Sequence, residues 1–260
     1  MGSRNARTTW LVMGGLVALV LLAFGTMFGV GAVAHKTERA HTAFPGPVRS
    51  VDVGASGGSV HVVGTAGSEA TVDAVINRGI QRPSNSERLE GDRLVIRGGS
   101  CMPFFTTFCG VDYTIHVPHD LGLTAHSSGG DITVSDLHGT MDLSSSGGRV
   151  GLQSVTSDRV RVESNGGEVT ASGLTGTSVD ASSNGGEVSL SFAGPPTRVD
   201  ASSSGGGVLI ELPDTPDAYR VEASSSGGGT SIRIRTDPAS SRLIRASSSG
   251  GDVTIRYHGG

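Results

Sequence analysis

The sequence predicts an all-β protein: a β-solenoid of about seven 18–23-residue repeats, an irregular β part before it, and one transmembrane helix ahead of both. Three observations predict this. A Gly-Gly pair recurs seven times between Leu123 and Tyr257, at spacings of 18, 19, 19, 20, 22 and 23 residues, the mark of a stacked repeat. Apolar and polar residues alternate on both sides of each pair, the period of a strand with one buried face. Glycine supplies 41 of 260 residues and aromatic side chains only 4%, a composition that fills a thin shared core and not a thick globular one.

Aligned on their glycines, the repeats become columns. Six residues before the first glycine stand Leu123, Met141, Val160, Val179, Val199, Val221 and Ile244, and two before it stand only serines, Ser127, Ser145, Ser164, Ser183, Ser203, Ser225 and Ser248. After the pair come Ile132, Val150, Val169, Val188, Val208, Thr230 and Val253, and two residues on Val134, Leu152, Ala171, Leu190, Ile210, Ile232 and Ile255. Each repeat therefore reads as two short strands joined at a Gly-Gly corner, where glycine is expected to take φ > 0. In a solenoid like residues stack on like, giving aliphatic ladders and a serine ladder at the corner. In a meander each pair would be a hairpin turn instead. The small residue held at one inward position, as in Ala181, Ala201, Ala223 and Ala246, favours the solenoid. Extra length at Pro213 to Ala218 and Asp237 to Ser241 then falls on loops along one edge.

Residues 1–9 read as a short cytoplasmic N-terminus. Residues 10–34 carry no charge and, as a helix rising 1.5 Å per residue, are long enough for a hydrocarbon core of about 30 Å. Arg4 and Arg7 precede this segment and Lys36 and Arg39 follow it, so basic residues hardly choose its orientation. The cysteine pair favours an extracytoplasmic C-terminal part. Ala32-Val33-Ala34 fits a signal-peptide cleavage site, the competing reading. Residues 35–47 read as a polar tether. Within an irregular β region at 48–120, strands are expected at Val51–Val53, Val60–Val63, Thr71–Ile76, Leu94–Ile96 and Val111–Val117. Residues 55–62 hold a stray copy of the repeat phrase, so this half is expected to be an irregular part of the same β structure that caps its N-terminal end. The solenoid is expected over 121–258.

Cys101 and Cys109 are the only cysteines, and a pair bracketing a short loop beyond a membrane span reads as a disulfide. Their loop holds Phe104, Phe105 and Phe108, either an outward apolar tip for a partner or lipid, or an inward plug of the core. Gly54-Ala55-Ser56-Gly57-Gly58 matches G-x-S-x-G, but a strand pattern follows where the nucleophile turn needs a helix. His116 and His119 lie three apart on a strand pattern and so face opposite sides. The glycine corners precede strands, not helices, and cradle no phosphate. Residues following them, Asp131, Arg149, Glu168, Glu187, Gly207, Gly229 and Asp252, form no acidic column for calcium. Glu168 and Glu187 fall on successive repeats without the aromatic platforms of a glycosidase. No catalytic, cofactor or metal site is expected, and no basic stripe interleaved with aromatics suggests nucleic acid.

The membrane span, the early x-G-G-x-V-x-V phrase, the strand ending in Val117-Pro118 and the tandem S-S-G-G-x-[VI]-x-[VIL] together resemble the bacterial family known as putative adhesins with β-strand repeats, over Val48 to Tyr257. The resemblance implies a β-solenoid-like domain on the bacterial envelope and assigns no enzymatic residues. The expected function is that of a single-pass membrane protein whose external domain serves adhesion, interaction or scaffolding. Its expected partners are the membrane, through residues 10–34, and a cell-wall polymer or surface protein. Self-association end to end through the last repeat, which closes on Tyr257-His258-Gly259-Gly260, is the alternative, and a glycan-active enzyme is the third.

Overall fold

The computed structural model describes Gly15 and residues 17–19, 36–78, 82–99 and 109–259. Gly15 and residues 17–19 are helical. The rest of the expected span, together with Cys101, Phe104, Phe105 and Phe108, lies outside the described residues. Among the described residues no helix is long and apolar enough to cross a membrane.

Among the described residues from Lys36 onward every regular element is a strand. The N-terminal part holds β1 (Lys36–Phe44), β2 (Ser50–Ala55), β3 (Val60–Thr65), β4 (Ala70–Arg78), β5 (Asn85–Glu90), β6 (Arg93–Gly98) and β7 (Gly110–Pro118). The repeats begin with β8 (Gly122–Ser127), β9 (Ile132–Ser135), β10 (Met141–Ser145), β11 (Val150–Gln153), β12 (Thr156–Ser164) and β13 (Val169–Ser183). They continue with β14 (Val188–Phe192), β15 (Arg198–Ser203), β16 (Val208–Leu212), β17 (Arg220–Ser225), β18 (Thr230–Arg233), β19 (Leu243–Ser248) and β20 (Val253–Tyr257). All five strands expected before Pro118 are present.

No Gly-Gly pair is a hairpin turn. The strand before each pair joins one parallel sheet, in the order β6-β2-β8-β10-β12-β13-β15-β19-β17. The strand after it joins a second, β7-β3-β9-β11-β13-β14-β16-β20-β18. The long β13 gives its first half to the second sheet and its last half to the first. Antiparallel strands close one end of the stack: β5 on β6, and β4 then β1 on β7.

Register follows the columns of the sequence. Leu123, Met141, Val160 and Val179 are successive partners, as are Ser127, Ser145, Ser164 and Ser183. The inward columns of both sheets form one apolar core with Val51, Val53, Val60 and Val62. A column that the repeat phrase leaves out completes it: Leu137, Val155, Leu174, Phe192 and Leu212 are fully buried on the return side of the first five repeats.

Four expectations change. Residues 36–44, expected within a tether, are the strand β1, whose inward Ala40 and Phe44 pack on the core. The alternation there is masked because the other inward positions, Glu38 and Thr42, are polar. Residues 55–62 are no stray copy: β2 and β3 pair in register with β8 and β9, so the stack crosses the boundary expected at residue 120. The corner glycines do not need φ > 0, since among the described glycines only Gly46, Gly91, Gly139, Gly173 and Gly259 take it. The corners need glycine because the stacked backbones touch: a Cβ on Gly148 would lie 2.3 Å from the Gly130 carbonyl oxygen, and one on Gly167 2.3 Å from that of Gly148. Finally, β19 and β20, last in sequence, lie between β15–β16 and β17–β18, so the sixth repeat and not the seventh ends the stack.

Candidate interaction surface

The corner serines are structural. Each Oγ accepts from the second glycine N–H of its own corner, as Ser145 does from Gly148 and Ser164 from Gly167, both at 2.9 Å. Except at Ser127, it donates to the second glycine carbonyl of the neighbouring corner in the stack, from Ser145 to Gly130 at 3.0 Å and from Ser164 to Gly148 at 2.9 Å. The hydroxyl satisfies one donor and one acceptor that the corner leaves without a sheet partner. All but Ser225, which is half-buried, are buried, and they present nothing outward.

What the fold does present is a polar outer face in fixed register. On the first sheet the residues between the inward columns line up as Asp142, Arg161, Asp180, Asp200, Arg245 and Glu222 on successive strands. Parallel strands space such a column at about 4.8 Å. A shallow groove over its far end is lined by Asp180, Asp200, Ser202, Glu222, Ser224 and Arg245. A second, nearer the middle, is lined by Thr124, Asp142, Arg159 and Arg161. Four carboxylates and two guanidinium groups share this column, with Asp180 and Asp200 adjacent, so it offers both donors and acceptors with an excess of negative charge.

Ion pairs hold several of these groups. Arg245 Nε lies 2.6 Å from Glu222 Oε2, and this contact keeps the Glu222 carboxyl below the usual carboxylate range. Asp52 accepts from Arg97 Nη1 at 2.9 Å and Nη2 at 3.0 Å and also from Arg93. Arg97, and Arg93 after it, hold the Asp52 carboxyl low against the opposing effect of partial burial. Inside the core burial pushes the Tyr219 phenol up to about 12 and raises that of Tyr113 as well.

The candidate residues fall as follows. Ser56 lies between β2 and β3 at a Gly-Gly corner, followed by a strand. Glu168 and Glu187 are on adjacent repeats, with Val169 N–H donating to the Glu187 carbonyl at 2.9 Å and Arg149 Nε 3.2 Å from Glu168 Oε2. His116 lies within β7. His119 meets His138: their rings stack at 5.4 Å, with His119 Nδ1 2.6 Å from the Asp136 carbonyl and His138 Nδ1 3.2 Å from Asp120 Oδ1. Both lie where one repeat returns to the next, and the parallel bridges Asp120 to His138 and His138 to Thr156 stack those returns. The buried return column was the signal for this contact. Among the described residues no group of three His, Cys, Asp or Glu side chains could hold a metal, and no cysteine is free.

Residues 119–257 match the family model described as Toastrack DUF4097. No curated protein matches by sequence. Among solved structures, the chain is similar to a "putative adhesin" from Bacteroides fragilis NCTC 9343, with a TM-score of 0.52 at 18% identity over 85% of this chain and 97% of that one. It is also similar to a "putative adhesin" from Parabacteroides merdae ATCC 43184, at 0.47 and 11% over 85% and 96%. A "putative lipid binding protein" from Parabacteroides distasonis ATCC 8503 gives 0.48 and 12% over 85% and 97%. At these identities the first likeness is one of fold, and the other two carry no argument about function.

Proposed function

Since the chain belongs to the Toastrack DUF4097 family, we propose that it is a non-enzymatic protein of the bacterial cell envelope whose repeats form a β-solenoid with an adhesive outer face. Residues 10–34 cross the membrane once, and the β domain stands outside, on the side to which a wall polymer or surface protein has access. Val17 and Leu19, helical and exposed, support a lipid-facing helix. The observation that carries the adhesive reading is the column from Asp142 to Glu222, which repeats polar groups at strand spacing along a frame locked by serine and backbone bonds. A polymer with its own repeating hydroxyls can engage many such groups weakly and at once. A rigid frame spares the ordering cost of binding. The "putative adhesin" name of the Bacteroides fragilis protein agrees with this reading.

The segment 99–109 replaces the Ser-Gly-Gly corner between β6 and β7. A Cys101–Cys109 disulfide would close it and present or tuck in Phe104, Phe105 and Phe108. Co-sedimentation of the full chain in detergent with isolated cell-wall polymer tests the function. Retention is expected, together with at least tenfold weaker retention for Arg159→Glu/Arg161→Glu, which changes the outer face and leaves the core intact. Failure to bind any wall fraction or surface protein removes the adhesive reading.

A further inference from the structure

The two ends of the stack differ. At one, the antiparallel strands β5 and β1 close the sheets with charged residues, among them Arg88 and Glu90 on β5 and Lys36, Glu38 and Arg39 on β1. At the other, β17 and β18 likewise pair on one side only among the described residues, with β19 and β20, but carry apolar residues at that edge. Arg220 N–H donates to the Arg242 carbonyl, Ser226 N–H to that of Ser248, and the Gly229 carbonyl accepts from Val253 N–H. Backbone groups alternate sides along a strand, so Val221, Ala223 and Ser225 on β17 and Thr230 and Ile232 on β18 turn theirs to the open edge. These are also the inward-column residues. Ile232 is 42% exposed where its partner Ile255 is 0% exposed, and Val221 is half-buried where Ile244 is fully buried. Apolar surface and unpaired backbone thus coincide, as they do on an edge that templates another strand. The open span is bounded: Tyr219, the next residue with its backbone turned outward, is already paired with Arg235 and Asp237.

We propose that this edge binds a second copy of the same chain, end to end, across a two-fold axis. Every inner repeat is sandwiched between copies of its own phrase, and a second β17–β18 edge is the nearest substitute for the missing neighbour. With the edges of the far end blunted by charge, contact between identical β17–β18 edges makes a closed pair and no filament. Two copies meeting this way run antiparallel. A register centred on Ala223 keeps Tyr219 and its loop clear, sets Val221 of each copy opposite Ser225 of the other, and brings Glu222 opposite Ser224, so no like charges meet. This pairing is independent of wall binding.

The experiment is sedimentation equilibrium of the full chain in detergent over a wide concentration range, with two variants. A pair of chains is expected, and nothing larger. Ala223→Pro removes an N–H that has no partner inside the chain, so it blocks strand addition without breaking the fold, and is expected to weaken pairing at least tenfold. Ile232→Asp is expected to do the same. Ala223→Cys, oxidised with copper phenanthroline, is expected to give a covalent pair on a non-reducing gel that wild type does not, because hydrogen-bonded antiparallel partners place their Cα atoms about 5.5 Å apart, within disulfide reach. A monomer at all concentrations, growth beyond two copies, or a pair indifferent to Ala223→Pro and Ile232→Asp would overturn the proposal. The last outcome would place association elsewhere, as in the N-terminal helix.

Discussion

The hydroxyl of Ser225 donates to the carbonyl of Gly251 at 2.7 Å, although Gly251 comes 26 residues later. Other corner serines reach back: Ser183 to Gly167, 16 residues earlier, and Ser203 to Gly186, 17 earlier. Ser248 reaches back 42 residues, to Gly206. Two side-chain bonds thus record what the backbone ladders show, the seventh repeat threaded between the fifth and the sixth.

The serine ladder should contribute unequally along the stack. Ser164→Ala leaves the Gly148 carbonyl and the Gly167 N–H unpartnered where water cannot reach them, which is expected to cost about 1–3 kcal/mol in urea unfolding. Ser225→Ala removes the same two bonds at the half-exposed end, where water can replace them. Its cost should be under about 1 kcal/mol, and equal losses at both sites would refute the distinction.

Within one corner the two glycines should differ sharply. A Cβ at Gly130 would fall 2.1 Å from the Gly58 carbonyl oxygen, whereas at Gly129 the nearest atom is the Ser56 oxygen at 3.9 Å. Gly130→Ala must therefore push two repeats apart and is expected to destabilise by about 3 kcal/mol or more. Gly129→Ala should stay within about 1 kcal/mol. Thermal melts of the two single variants decide it. Equal tolerance would mean that the glycines are kept for backbone freedom after all.

The columns were legible because each repeat obeys the same local rule, so Val179, Ala181 and Ser183 could be placed inward by spacing alone, and the structure sets them there. The order of the last two repeats was not, because Val221, Ala223 and Ser225 read the same as Ile244, Ala246 and Ser248, and nothing in such a phrase says which neighbour it takes. The long returns at Pro213 to Ala218 and Asp237 to Ser241 read only as loops along one edge, and nothing in them announced a change in path. β1 and β5 were missed because closing strands bury little: Ala40, Phe44 and Leu89 are their apolar contacts with the core, set among charges. On the surface, the alternating polar positions were foreseen, but the pairing of Asp52 with Arg93 and Arg97, 41 and 45 residues away, follows from β6 stacking on β2, which no local pattern encodes.

That cluster should give the fold an acid-sensitive component. Asp52 is held ionised by Arg97 and Arg93, so its carboxyl titrates lower folded than unfolded. A depressed carboxyl contributes stability that is fully present above its unfolded value near pH 4 and is lost as pH falls through the folded one. Both arginines are about half exposed, which limits the contribution to about 1 kcal/mol. Asp52→Asn should lower stability by that amount at pH 7. The gap between variant and wild type should close on acidification below about pH 4. A gap constant from pH 7 to pH 3 would show that packing and not charge sets the effect.

Hydrogen exchange distinguishes the threaded order from a simple one. If repeats stacked in chain order, the amides of Ile244, Ala246 and Ile255 would face solvent and those of Val221, Ala223 and Ile232 would be covered. In the structure the inward residues turn their N–H groups toward the later side of the stack, as Leu123 does in donating to the Thr140 carbonyl. At the end of the stack that side is empty beside β17 and β18, while β19 and β20 have those strands to pair with. Val221, Ala223 and Ile232 should therefore exchange at nearly the rate of an open chain in the dilute monomer, and Ile244, Ala246 and Ile255 about 10³-fold more slowly. At high concentration the proposed pairing should add protection at Val221, Ala223 and Ser225, whose N–H groups gain a partner across the Ala223-centred register.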